Sequence, residues 1–181
     1  MLGPTLETER LLLRPPGAED FDAWAGLMAD ADASRFIGGP LSRSGAWRSI
    51  CTVTGAWVVR GFSMFSFIEK ASGRWIGRGG PWQPEGWPGK EVGWGLVRSA
   101  WGKGYATEAA TACIDWAFDT LGWDDVMHPI DPANEPSIQV ALRLGSRRLG
   151  SARLPAPLDN TVDLYGQDRA TWRNRRAINS A

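Results

Sequence analysis

Five consecutive residues, Gly102-Lys103-Gly104-Tyr105-Ala106, have the types and the order that bind an anion. Ahead of them, Glu91 to Val97 mixes bulky and β-branched residues with Gly93 and Gly95, a pattern that predicts a strand with a bulge. Behind them, Ala106, Ala109, Ala110, Cys113, Ile114, Ala117, Phe118 and Leu121 recur at three- and four-residue spacing, and Gly122 supplies a stop. Strand, glycine turn and helix follow without a linker. The first N–H groups of the helix therefore have no partner inside it and project from the turn at the positive end of the helix dipole. A phosphate suits that position. Two other phosphate loops fit less well: a Walker A loop places Ser or Thr after Gly-Lys, whereas Lys103 precedes Gly104, and a dinucleotide fingerprint has three spaced glycines where this turn has two.

The elements that must position this turn can be read along the chain. Leu11 to Arg14 forms a short strand closed by Pro15-Pro16, and Phe21, Trp24, Ala25 and Met28 repeat with helical spacing to about Ala31. Ser42 caps a second helix carrying Trp47, Ile50, Cys51 and Thr54, which Gly61 ends. Phe62 to Lys70 and Arg74 to Gly80 are extended segments joined by Ala71-Ser72-Gly73 as a hairpin, and Pro81 to Lys90 is a Pro-, Gly- and Trp-rich loop beside the turn. After the glycine-turn helix, Asp125 to Asp131 is a strand, and Asn134 caps a helix with Ile138, Ala141, Leu142 and Gly145 on one stripe. Two extended pieces, Arg147 to Leu154 and Thr161 to Tyr165, precede a basic end with Arg169, Arg173, Arg175 and Arg176, a solvated or docking segment. The order β, α, α, β, β, β, α, β, α, β, β predicts an α+β fold around one sheet. Its hairpin strands are antiparallel, and the two strands flanking the glycine-turn helix run parallel through a crossover.

Bulk properties narrow the function. The 181 residues predict a single domain, 1–181, large enough to bury a core without disulfides. Cys51 and Cys113 have no CxxC partner and read as buried apolar residues in a reducing compartment, and with His128 the sole histidine no metal site is expected. Lys+Arg and Asp+Glu both total 20, so no overall field draws the chain to nucleic acid or membrane. The short Leu11-Leu12-Leu13 run lies between arginines and is no secretion signal, and a cytoplasmic location is expected. Eleven tryptophans mostly fill core, with some left to shape an aromatic acceptor pocket.

In sequence order, Thr8-Glu9-Arg10-Leu11-Leu12-Leu13-Arg14-Pro15 with Asp20, Gly73-Arg74-Trp75-Ile76-Gly77, the Gly-Lys-Gly-Tyr-Ala-Thr-Glu-Ala turn, and Asn134-Glu135-Pro136-Ser137 with Leu144-Gly145 together carry a resemblance. The chain resembles the GNAT superfamily of acyl-CoA-dependent N-acyltransferases, in particular its ribosomal-protein alanine/serine N-acetyltransferase-like branch. The likeness runs from end to end. It departs at Trp101, where the superfamily's phosphate loop begins with Arg or Gln, and at Ser146, where an aromatic residue usually follows the glycine. For the second, a neighbouring tryptophan is expected to fill the space.

What the resemblance implies is a mostly antiparallel sheet splayed between two central parallel strands, with helices on both faces. It also implies direct transfer of an acetyl group from acetyl-CoA, used as co-substrate without a metal, to a primary amine. The acceptor is a protein N-terminus or, second, a small-molecule amine, and the protein is a monomer or homodimer. The backbone N–H groups of Gly102, Lys103, Gly104, Tyr105 and Ala106 would hold the pyrophosphate, with Lys103 as a nearby point charge. An N–H at Leu96 or Val97 would polarise the thioester carbonyl, and Asn134 would bind the pantetheine amides. Glu91 matches the general-base position, with Glu85 in reserve, and Ser137 matches the serine that protonates the leaving thiolate. Glu108 supports the helix dipole and His128 is structural. A non-catalytic acyl-CoA sensor is the alternative from another functional class.

Overall fold

The computed structural model describes residues 2–179. An eight-stranded sheet has the order β1-β2-β3-β4-β5-β6-β8-β7. The strands are β1 (Leu6–Glu7), β2 (Leu11–Arg14), β3 (Phe65–Glu69), β4 (Trp75–Trp82), β5 (Glu91–Leu96), β6 (Asp125–Ile130), β7 (Arg147–Arg153) and β8 (Thr161–Asp168). Among the described residues six α-helices accompany them: α1 (Phe21–Ala29), α2 (Ala31–Ser34), α3 (Arg43–Arg60), α4 (Tyr105–Asp119), α5 (Glu135–Arg143) and α6 (Arg169–Asn179). Every pairing is antiparallel except β5 with β6.

The helix punctuation follows local chemistry. Ser42 Oγ accepts from the Gly45 N–H at the start of α3, and Gly61 ends that helix in the left-handed region at φ 76°. α4 packs across β2, β4 and β5, burying Ala109, Ala110, Cys113, Ile114, Ala117 and Phe118 against Phe65, Phe67 and Val92. On the other side of the sheet, Trp24, Ala25 and Met28 of α1 meet Ala46, Ile50 and Val53 of α3 in a second cluster. The opening motif has a structural purpose. Asp20, almost fully buried, takes two hydrogen bonds from the Arg14 guanidinium, both at 2.8 Å, and one from Ser66 Oγ at 2.7 Å, tying the entry of α1 to β2 and β3.

Several expectations need correction. Cys51 is exposed on α3 and only Cys113 is core, because the buried stripe of α3 runs through Ala46, Ile50, Val53 and Trp57 and leaves position 51 outside it. Pro81 and Trp82 belong to β4, not to the loop. β1 and α2 are additions that two- and four-residue segments are too short to announce. The basic end is the helix α6. Trp172 is buried and donates to Asp115 at 2.6 Å, and Arg173 pairs with Asp119 at 3.2 Å, so this end docks on α4. Ser146 faces His128 and Gln167, not a tryptophan: His128 Nε2 and Gln167 Nε2 both lie 3.1 Å from its hydroxyl. No helix among the described residues is long and apolar enough to cross a membrane.

Candidate active site

β5 and β6 pair only at Glu91 and Met127, with Met127 N–H donating to the Lys90 carbonyl at 2.9 Å. Beyond that point they separate. The bulge expected at Gly93 and Gly95 is not the cause, since β5 pairs with β4 in unbroken register from Glu91 to Leu96. The cause lies in β6. Because Met127 N–H points at β5, strand alternation turns position 129 the same way, and Pro129 has no N–H to offer. In place of a ladder bond, the His128 ring donates from Nδ1 to the Val92 carbonyl at 2.6 Å. Burial pushes the His128 pKa down to about 4, so the ring is neutral and its Nε2 accepts from Ser146.

A cleft of about 1230 Å³ opens beside the separation. It is lined by Trp94, Gly95 and Leu96 of β5, by Gly102, Gly104, Tyr105 and Ala106, and by Asn134 and Ser137. Gly102 and Gly104 have φ of 71° and 81°, a conformation that glycine reaches without strain and other residues do not. Alternate residues so turned are the backbone pattern of an anion-binding nest, here at the N-terminus of a 15-residue helix. Among the described residues, the N–H groups from Gly102 to Thr107 make no hydrogen bond within the protein. Six backbone donors are therefore left without a partner inside the protein.

The loop is fixed from two sides. The Trp101 indole donates to the Leu96 carbonyl at 2.9 Å, so the tryptophan that replaces a polar residue anchors the loop to the end of β5. Glu108 does more than favour the helix dipole. One carboxylate oxygen accepts from Thr8 Oγ1 at 2.6 Å and Arg10 N–H at 2.8 Å, and the other accepts from Arg10 Nε at 2.7 Å. Arg10 also donates to the Lys103 carbonyl at 2.9 Å and stacks on Tyr105. Several of these bonds are charge-assisted, each worth about 1.5–3 kcal/mol. Glu108→Gln therefore lowers Tm by about 2–6 °C in a thermal melt, while an unchanged Tm removes this role.

Lys103 does not line the cleft. Its side chain is exposed, and its charge contributes to holding the Glu69 carboxyl below the ordinary range, behind the hydrogen bonds from Ser72 and Tyr105. Val97 is corrected as a carbonyl-polarising donor, because its N–H is committed to the Ile76 carbonyl at 3.0 Å. Alternation then turns the Leu96 N–H away from β4, toward the gap.

Glu91 sits where β5 and β6 part. Its carboxylate accepts from the Trp87 indole at 2.7 Å and folds back over Gly93, where an added Cβ would stand 2.3 Å from Oε1. Glycine at 93 is the space that this carboxylate occupies. Burial raises the Glu91 pKa to about 7, against the opposing pull of the Trp87 hydrogen bond and the Arg78 charge. Glu85 is fully exposed and, among the described residues, pairs only with Arg60 at 3.6 Å, which leaves Glu91 the better placed carboxylate. Ser137 and Asn134 stand together at the start of α5, with Asn134 Oδ1 accepting from the Ser137 N–H at 3.3 Å. The Trp94 indole lies 3.3 Å from Ser137 Oγ. Indole N–H only donates, so the serine oxygen accepts and its own hydrogen stays available.

Residues 10–147 match the acetyltransferase (GNAT) domain family. The chain belongs to the GNAT acetyltransferase family. It is similar to the uncharacterized N-acetyltransferase p20 of Bacillus licheniformis, 30% identical over 152 residues that cover 82% of this chain and 85% of p20. A crystal structure of an acetyltransferase from Agrobacterium tumefaciens strain C58 superposes with a TM-score of 0.80 at 34% identity, covering 92% of this chain and 95% of that one. The fold is also that of the ribosomal-protein-S5-alanine acetyltransferase from Vibrio fischeri, with TM-score 0.72 at 18% identity and coverage of 93% and 98%.

This GNAT acetyltransferase also brings residues to the cleft that its sequence did not flag. Arg35, Arg98 and Arg143 line it, from the C-terminal cap of α2, the turn after β5, and α5. Arg98 is held by Asp30 at 2.7 Å and Asp32 at 3.3 Å. No spacing rule collects three arginines from such distant segments. Only the closing of α2 and α5 over β5 does.

Proposed function

We propose that the protein is an acetyl-CoA-dependent N-acetyltransferase that moves the acetyl group directly to a primary amine, either a protein N-terminus or a small molecule. One observation carries this reading: unpaired amides from Gly102 to Thr107 at a helix mouth, next to parallel strands that part after a single pairing. Acetyl-CoA supplies the activated thioester. The amides of Gly102 to Ala106 hold its diphosphate, Asn134 meets the pantetheine arm, and the Leu96 N–H faces the carbonyl oxygen on which charge develops.

The acceptor amine reacts only when neutral. With a reference pKa of about 7.7–8.0, roughly a tenth of an α-amine is neutral at pH 7, against under about 0.1% of a lysine side chain at about 10.4. Glu91 takes the proton, and a pKa near 7 matches it to that task. Ser137 donates its free hydrogen to the departing sulfur. Ser137→Ala therefore lowers kcat by about 10- to 100-fold with little change in acetyl-CoA affinity, and an unchanged kcat removes the serine from the reaction. Free-thiol release from acetyl-CoA with a panel of peptides and small amines tests the whole reading. Turnover with at least one amine is expected, and silence across a broad panel counts against it.

A further inference from the structure

Arg78 has an unusual place. It lies on β4 directly opposite Gly95 of β5, with its guanidinium over the Trp24 ring, 5.1 Å from the centroid. The residue is only 9% exposed, and no carboxylate lies within ion-pair distance of it among the described residues. Its Nε is buried without a hydrogen-bond partner, and its one hydrogen bond runs from an Nη to the Met64 thioether, a weak acceptor. Guanidinium remains charged in proteins, so a buried positive charge stands here without a direct counter-ion.

Its surroundings point to what completes it. Glu91, Gly93 and Gly95 alternate along β5 and share the face of the sheet that carries Arg78. The Glu91 carboxylate folds over Gly93, toward Arg78, and the two charges sense each other without touching. Between them Gly93 lies beneath the Glu91 carboxylate and Gly95 beneath Ile37, and both Ile37 and Gly95 line the large cleft. A small molecule entering from the cleft beside Ile37, over Gly95, would have a proton acceptor at one end and a guanidinium fork at the other.

We infer that Arg78 binds a carboxylate of the acceptor while Glu91 faces the amine of the same molecule, so the acceptor is a small amine of the amino-acid type. This rests on the proposed reaction and narrows its substrate class. A fork of N–H donors suits a planar carboxylate, and the resident charge discriminates against amines without one. The buried cation weakens the fold when the site is empty, as binding sites often do, whereas a purely structural arginine would be needed for stability.

The test has two parts. In thermal melts of the intact protein at pH 7, acetate and benzoate are compared with chloride at equal ionic strength. The carboxylates should raise Tm saturably by about 3 °C, the response to a ligand that binds only the folded state. In Arg78→Met the rise should vanish while the ligand-free Tm is equal or higher, and Arg78→Lys, which keeps the charge without the fork, should retain part of it. No rise beyond chloride in the wild type, or the same rise in Arg78→Met, overturns the inference. Should Arg78→Met fail to fold, Arg78→Lys decides, and an undiminished rise there counts against it.

Thiol release then compares matched acceptors: free amino acids, their amides, their decarboxylated amines, and short peptides beginning with Asp or Glu. Free amino acids should be preferred in kcat/KM by at least about tenfold, and Arg78→Met should remove the preference through KM. Equal use of the decarboxylated amines refutes the carboxylate site while leaving the acetyltransferase reading intact. Preference for the acidic peptides refutes the small-molecule class. Absence of turnover with every amine falls on the proposed reaction, and the carboxylate melts still decide Arg78.

Discussion

Glutamine at position 91 is expected to lower kcat by roughly 10²–10⁴, the range over which a positioned general base acts, while the Kd for acetyl-CoA stays within about twofold. The separation of the two effects follows from place. Glu91 lies at the far end of the strand gap from the amide cradle and does not line the large cleft. Its pH signature is equally specific. Burial raises its pKa to about 7, and the base is the ionised form, so the wild-type rate climbs as pH rises through 7 and levels above it. The variant should lose that inflection.

Stability provides the control. A carboxyl whose folded pKa is raised above its ordinary value of 4.5 stabilises the fold below 4.5, and that contribution fades as pH rises through about 7. Glutamine keeps an acceptor for the Trp87 indole without the buried charge. The variant should therefore be as stable as the wild type, or more so, at pH 8. A variant that keeps its rate across the pH range would remove Glu91 from the reaction, and one that melts early would show a structural role.

Gly104→Val is expected to raise the Kd for acetyl-CoA by about 10²-fold or more, read by isothermal titration. Position 104 has φ 81°, where a β-branched residue is strained, and a Cβ there would stand 3.4 Å from the Arg10 guanidinium that braces the loop. The loop must rotate away to relieve that backbone strain. Two charge-assisted hydrogen bonds lost from a phosphate, at about 1.5–3 kcal/mol each, account for the size of the effect. The substitution lies outside the core, so Tm without ligand should fall only modestly. Undiminished affinity would mean that these amides do not hold the cofactor.

The most legible parts of this protein were those whose cause is local. The glycine turn, the apolar stripe of α4, the Ser42 and Asn134 caps and the stop at Gly61 each follow from residues within a few positions of one another, and all appear where their sequences place them. The structural role of His128 was legible in kind, though its hydrogen bond to the Val92 carbonyl joins residues 36 apart. What local pattern misread was the origin of the strand gap. Two glycines in β5 resemble a bulge, but their smallness serves the Glu91 carboxylate and the approach of Ile37, and Pro129 in β6 leaves β5 without a ladder bond on that side beyond Glu91. The clamp of Glu108 on Thr8 and Arg10 spans about a hundred residues, beyond any periodicity. Cys51 was misplaced because α3 carries little contrast between its faces, with Val58 and Val59 exposed. The basic end reads as a solvated or docking segment; Trp172, buried against Asp115, makes it the docking helix α6.

The proposed reaction depends most on the unpaired amides around Lys103 gripping a diphosphate. Isothermal titration of the wild-type protein with acetyl-CoA and with acetyl-pantetheine, which lacks the diphosphate and the nucleotide, tests this directly. Binding of acetyl-CoA at least about 10²-fold tighter, with most of that advantage lost in Gly104→Val, is the expected result. Equal affinity for the two thioesters, or an advantage that Gly104→Val leaves intact, would contradict it.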